Sequence, residues 1–419
     1  MCNWFQRLPI LLTVLFVASS VVAGELVVSS DFEGGSAQVV WIDQQKRHVT
    51  IRPAGDPQFG WPCWWYFRLD GIEPGETISV EVDATNLKRS NGQKLGWDWV
   101  LPTRAAYRLD GEEWQQTEPA TPHDSHSVWK LPANRSRTAW CAWGPAFVPE
   151  DGKRLVERLA AASPHAHAFE LCRTRAGRTT PALTITDGGE EEGSRMVVWI
   201  QARQHAWESG GSWVGRGFAE WVTGDDARAV ALRKRAVVYY VPIMDIDNTA
   251  TGNGGKHQVP NDHNRDWHAD AKWNSVKAAM ELLESFDQQG RLVLFVDLHN
   301  PGAGAKRPYF FVAPPSLVSE KRHAHQERFI NACRREIVAP LPLDEKLPTT
   351  GPAYHPLWKR IAANWIKLNT REHVVGTTLE TCWNTPHSNI TGYRAVGKQL
   401  GLGIERYLRA DPRTNSAVE

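Results

Sequence analysis

Between residues 25 and 82, apolar positions fall in short alternating runs at 37–42, 47–51, 64–69 and 77–82, separated by Gly, Pro and Asp. Runs of this length with a period of two predict strands, and their close spacing predicts a small β-sandwich. The pattern loosens through 107–109 and 136–143, and the polar stretch at 118–127, which carries Pro and His, reads as loop. Past residue 145 the texture changes. Continuous apolar runs at 182–186, 196–202, 236–243 and 292–298 alternate with helical periodicity at 155–162, 213–223, 273–286, 319–335, 356–368 and 395–408. Alternation of that kind predicts an α/β sheet with helices on both faces, behind the β-sandwich.

The first residues carry one positive charge at Arg7, an apolar run over 8–17, and the small residues Val21, Val22 and Ala23 before Gly24. That order is the order of a secretory signal, and the run is short of the ~20 apolar residues a spanning helix needs. The expected organisation is a signal over 1–23, a β-domain over 24–145, an α/β domain over 146–411 and a short tail over 412–419. The expected location is secreted or periplasmic, with no stable membrane insertion once the signal is removed.

Composition narrows the partners. A formal net charge of +1 leaves no basic excess for nucleic acid or an anionic membrane. Twenty tryptophans in 419 residues read as aromatic core. Removing Cys2 with the signal leaves Cys63, Cys141, Cys172, Cys333 and Cys382, an odd set without a CxxC spacing. A thiolate metal site is therefore not expected, and one or two disulfides remain open.

In open α/β sheets, ligands gather beyond the carboxyl ends of strands, which directs attention to polar residues just after apolar runs. The run at 196–202 leads into His205 and Glu208, three positions apart. The run at 292–296 leads into Asp297, Leu298 and His299, and the run at 373–378 into Glu380. Two histidines and a carboxylate make a usual hydrolytic zinc set, with a position left open for water and a further acid wanted as base. No His-Glu-x-x-His string competes with it, and Ser209 and Ser212 lie in no Gly-x-Ser-x-Gly elbow. A fourth segment runs from Asn261 to Trp267. Arg265 offers a planar fork for a carboxylate, Asn264 a neighbouring amide, and Asp262 an acceptor for the far nitrogen of a ligand histidine.

Taken in order, His205-x-x-Glu208, Asp262-x-Asn264-Arg265, His299 and Glu380 resemble the signature of the zinc metallocarboxypeptidases. Phe32 to Gly35, Trp64 to Phe67, and Ala202 to His205 are similar to the cytosolic-carboxypeptidase branch. The resemblance implies a mixed central sheet and one zinc per chain held by His205, Glu208 and His299. It further implies Asp262 as partner of a ligand histidine, Asn264 and Arg265 as the clamp on a terminal carboxylate, and Glu380 as general base, acting on peptide or protein C-termini.

The chain also departs from that pattern. Ala206-Trp207 replaces the usual Pro-Gly inside the His-x-x-Glu motif, which puts a bulky ring by the metal. Lys256 stands nearest to where an arginine polarises the scissile carbonyl, with His257 as a second candidate. Tyr354 falls in the region of the tyrosine that closes over substrate. Trp383 and Asn384 are candidates for the side-chain pocket. A zinc amidase or deacylase acting on cell-wall peptides or N-acyl amino acids is the alternative reading, and a noncatalytic binding module a more distant one.

Overall fold

The computed structural model describes residues 24–55, 60–133, 135–188 and 193–414. The predicted signal, most of the Gly- and Glu-rich segment at 188–194 and the end of the tail lie outside them. The first domain is built from ten short strands: β1 (Val27–Ser29), β2 (Gln38–Asp43), β3 (His48–Arg52), β4 (Tyr66–Asp70), β5 (Ile78–Asp83), β6 (Ala106–Leu109), β7 (Gln115–Gln116), β8 (Thr121–His123), β9 (His126–Leu131) and β10 (Thr138–Ala142). They form two five-stranded sheets, β1-β4-β10-β6-β7 and β2-β3-β5-β9-β8. The stretch expected as loop at 118–127 is a hairpin, in which His123 pairs with His126 and Asp124 takes φ 48° in the turn. All three β8 side chains are exposed at the sheet edge, so no buried face marked that strand in the sequence.

Next come α1 (Pro149–Ala162), β11 (Ala166–Arg173), β12 (Thr179–Ile185), β13 (Met196–Ala202), α2 (Ser209–Val222), α3 (Ala227–Arg235), β14 (Ala236–Val241) and α4 (Ile246–Thr251). They are followed by α5 (Asn274–Gln288), β15 (Leu292–His299), β16 (Tyr309–Phe311), α6 (Glu320–Arg334), α7 (Ala362–Asn369), β17 (Val375–Glu380) and α8 (Ile390–Tyr407). The sheet order is β11-β12-β14-β13-β15-β17-β16. Its centre, β14-β13-β15-β17, is parallel, while β11, β12 and β16 are antiparallel at the margins, so the sheet is mixed.

Along β13 the side chains alternate between two cores. Val197 and Trp199 pack with α5 and α7, while Val198 and Ile200 share a cluster with α2, α8 and the tryptophans of the β-domain. Trp65, Trp129, Trp143, Trp199, Trp207, Trp267 and Trp383 are fully buried, as an aromatic core requires. The five cysteines among the described residues are free thiols.

Four helices start away from the expected places: α1 at Pro149 rather than 155, α8 at Ile390 rather than 395, and α2 and α7 for reasons visible in the packing. The α2 helix begins at Ser209 rather than 213, because Gly210 and Gly211 blank the apolar periodicity there. A Cβ on Gly210 would lie 2.7 Å from the Asn300 side chain, and one on Gly211 would lie 2.7 Å from Leu298 O. Their bareness lets the helix start sit directly on the end of β15. The α7 helix begins only at Ala362, because Ile361 is extended and ends the short turn before it.

Candidate active site

His299 ends β15 and Glu380 ends β17, and the parallel register sets them side by side. His205 lies just past the end of the adjacent strand β13, and Glu208 is the residue on which α2 begins. Arg203 makes the bend between them, at φ 64° and buried. Its guanidinium donates to Phe147 O at 3.0 Å and to Ala206 O, which braces the turn that presents His205.

The Nδ1 atoms of His205 and His299 lie 2.8 and 2.6 Å from the two carboxylate oxygens of Glu208. One ligand atom from each residue lies within 4.8 Å of the others. Two imidazole nitrogens and a carboxylate are the donor set of a hydrolytic zinc site. The surroundings fit a divalent cation as well. Glu208, Asp262, Asp297 and Glu380 are four buried carboxylates packed in and around the cluster, with Lys256 and Arg265 as nearby cations. Burial alone would raise the Glu208 carboxyl, yet the facing His205 and His299 rings and Lys256 hold it well below the ordinary value.

Each histidine has a carboxylate behind it, hydrogen-bonded at His299 and near but not hydrogen-bonded at His205. His205 Nε2 lies 3.5 Å from Asp262 Oδ1, and His299 Nε2 lies 2.8 Å from Asp297 Oδ2. An acceptor on the far nitrogen holds the proton there and leaves Nδ1 free to bind metal. Asp262 was expected in this place; Asp297 was not given a role. Its signal was the Asp-x-His spacing, since residues two apart on a strand share a face. Asp297 is itself held by Gln204 Nε2 and by Gln201 Nε2 at 3.3 Å.

Glu380 is 9% exposed, and its Oε2 has no hydrogen-bond partner among the described residues. Burial pushes its carboxyl up to about 7, partly offset by His299. Across the antiparallel pair β16–β17 it stands directly opposite Tyr309, a residue the sequence reading did not single out. Burial, followed by Glu380, Tyr354 and Glu208, raises the Tyr309 phenol. Lys256 reaches the same cluster. Its Nζ is 3.4 Å from Glu208 Oε1, with the rings of Trp99 and Trp61 at 5.3 and 5.9 Å. Tyr354 is half exposed, its ring 5.3 Å from Phe311, and it acts electrostatically on both Lys256 and Tyr309.

The structure also fixes where the remaining candidates lie. His257 stacks flat on Trp61 at 4.6 Å, and burial pushes it down to about 3, so it is neutral and offers no cation. Asn264 is not a loose amide. Its Oδ1 accepts the Ala362 N–H at 3.0 Å, and its Nδ2 lies 3.5 Å from His299 Nε2. Arg265 is buried beside it, with Nη1 donating to Asn264 O at 3.3 Å and 4.0 Å from Asp262. Trp207 does not hang over the metal donors; it is sealed among Trp143, Trp99 and Trp383, at 5.1, 5.7 and 5.8 Å. Trp383 and Asn384 likewise belong to the core: Trp383 packs on Trp143 at 4.6 Å, and Asn384 donates to Ala303 O at 3.0 Å.

Known proteins carry the same two parts. Residues 28–143 match the cytosolic carboxypeptidase N-terminal domain, and residues 153–328 match the zinc carboxypeptidase family. Cytosolic carboxypeptidase 6 of Caenorhabditis elegans is 30% identical over 154 residues, which cover 36% of this chain and 33% of that protein. Cytosolic carboxypeptidase 3 of Bos taurus is 29% identical over 303 residues, which cover 65% of this chain and 29% of that protein. The chain thus spans about a third or less of the length of these relatives. A metallo-carboxypeptidase from Burkholderia cenocepacia shares the fold with a TM-score of 0.76 at 22% identity, over 92% of this chain and 99% of the other. In its two parts the chain is similar to the cytosolic carboxypeptidases: residues 28–143 match their type of N-terminal domain, ahead of residues 153–328, which match the zinc carboxypeptidase domain.

Proposed function

We propose that the protein is an exported, zinc-dependent carboxypeptidase that hydrolyses the last amide bond of peptides or proteins. The observation that carries this reading is the convergence of His205, Glu208 and His299 beside the unpartnered Oε2 of Glu380. His205, Glu208 and His299 would hold zinc, which supplies Lewis acidity toward water and the scissile carbonyl. Glu380 takes a proton from the attacking water at Oε2 and delivers it to the leaving nitrogen, a role suited to a carboxyl raised by burial. Lys256 stabilises the developing oxyanion from its seat between Trp61 and Trp99. Arg265 receives the terminal carboxylate, and Tyr354 and Tyr309 border the substrate side. The order of charge, apolar run and small residues over 1–23 supports export.

The test is metal analysis and a peptide-library digest of the protein recovered from the periplasm or medium, with Gly24 as the expected first residue. Wild type is expected to contain one zinc and to release single C-terminal residues. Glu380→Gln should retain zinc and lose activity by about 10²–10⁴-fold. Zinc-free active protein, or equal cleavage by the variant, would sink the mechanism. Release of an acyl group instead would move the reading to an amidase.

A further inference from the structure

A cavity of about 320 Å³ opens beside the metal donors, and both domains line it. Arg89 and Trp61 come from the β-domain; His257, Asp262, Arg265 and His355 come from the α/β domain. The Arg89 guanidinium carbon sits 4.5 Å above the Trp61 ring, which lies flat on His257 at 4.6 Å. The loop that carries Arg89 is held by hydrogen bonds at and next to that residue. Arg89 N–H donates to Gln93 O at 2.8 Å, and Ser90 Oγ donates across the domain boundary to His257 O at 3.2 Å.

Charge in this cavity is one-sided. Among the described residues its only carboxylate is Asp262, whose Oδ2 accepts the His257 N–H at 3.0 Å and whose Oδ1 lies 3.5 Å from His205 Nε2 without a hydrogen bond. Burial lowers His257 to about 3 and also lowers His355, which leaves both imidazoles neutral. Arg265 is 7% exposed, and its Nε has no partner among the described residues; the Nε of Arg89 also has none. Two guanidinium forks therefore line a cavity with a single carboxylate among the described residues, Asp262, whose Oδ1 lies 4.0 Å from Arg265 Nη1. Asn264, the expected second donor to a terminal carboxylate, is tied to Ala362 and directed at His299.

We propose that Arg89, contributed by the N-terminal domain, is the second arm of the carboxylate clamp: with Arg265 it grips the C-terminal carboxylate of the substrate in this cavity. The proposal deepens the carboxypeptidase reading and rests on it. A planar fork on either side suits a carboxylate geometrically, and a lysine could not reproduce that fit. Asp262 lines the cavity on one side and lies 3.5 Å from His205 Nε2 on the other, so a chain end held here is one residue removed from the metal donors. Recognition of the chain end thereby depends on the β-domain, and the α/β domain alone does not complete it.

The experiment compares zinc-loaded wild type, Arg89→Gln and Arg89→Lys, using N-acetylalanine and its primary amide as probes. Both are measured as competitive inhibitors of peptide hydrolysis and by direct calorimetric titration. Wild type should bind the acid more tightly than the amide. Arg89→Gln should weaken the acid by about 10-fold or more, the usual worth of a charged hydrogen bond, and leave the amide as it was. Arg89→Lys should restore only part of the loss, and the effect on peptide turnover should fall on KM rather than kcat. An acid affinity unchanged in Arg89→Gln, or one that falls in step with the amide, overturns the proposal. A wild type that releases no C-terminal residue defeats the carboxypeptidase reading instead, while the titrations still decide whether Arg89 binds the carboxylate.

Discussion

On the metal side of the site, His205, Glu208, His299, Asp262 and Asp297 are each 3% exposed or less. All but Asp262 sit at a strand end or within a few residues of one, and every far imidazole nitrogen faces an acid. On the substrate side, Lys256, Tyr354 and Arg89 come from loops, and Arg89 from another domain. Parallel strand ends are held by the hydrogen bonds of the whole sheet, so they can fix donor positions closely. Loops carry fewer such constraints, and substitutions there change what is bound while the chemistry stays in place. The departures of this chain from the family pattern fall accordingly on the loop side, at Lys256, and in the buried Trp207.

That contrast can be broken most severely at Trp207, which joins the two sides through its tryptophan cluster. Trp207→Ala should cost about 3–5 kcal/mol, the range for emptying a large aromatic site. Denaturant unfolding should report the loss in a single transition, because Trp143 and Trp99 on one side and Trp383 on the other share the same contacts. Two separate transitions in wild type would show that the domains do not share a core.

A smaller change sharpens the metal side. Asp297→Asn keeps the shape but weakens the acceptor behind His299, and zinc affinity should fall about 10–100-fold in competition with a chelator. Arg89→Gln should leave zinc affinity untouched, which separates the two regions in one assay.

The smallest effect lies away from the site, in the network of Arg228, Arg406 and Arg409 with Glu336 and Glu405 that ties α3, α6 and α8 together. Burial opposes ionisation of both carboxyls, but their arginine partners win and lower each of them. A carboxyl lowered in the folded state stabilises above its unfolded value of about 4.3, and that contribution is lost as the pH falls through the folded value. Arg228→Ala should therefore flatten the fall in unfolding midpoint below about pH 4.5, by roughly 1 kcal/mol or less for partly exposed pairs.

Legibility in the sequence largely followed burial, with β2 as the exception, read at 37–42 although four of its six side chains are exposed. The strand β13 was read at its observed bounds because all seven of its side chains are buried. β8 went unread because all of its side chains are exposed, and β11 because most of its side chains lie open or half-open along a sheet edge. Glycines hid the start of α2 for the opposite reason: close packing removed the side chains that would have marked it. In the site, His205, Glu208, His299 and Glu380 were legible because each follows an apolar run in order. Tyr309 was not, since only the β16–β17 register places it across from Glu380, and Arg89 lies more than a hundred and fifty positions from Arg265.

The sequence by itself determined the sheet-forming runs, the polar residues at their ends and hence the candidate metal donors, because strand periodicity and ligand spacing are local properties. Only the tertiary structure decided which acid stands behind His299, that Trp207 turns into the core rather than over the donors, and that the β-domain brings an arginine to the cavity. Those outcomes depend on pairing and packing between segments far apart in the chain, and no local pattern of residues encodes them.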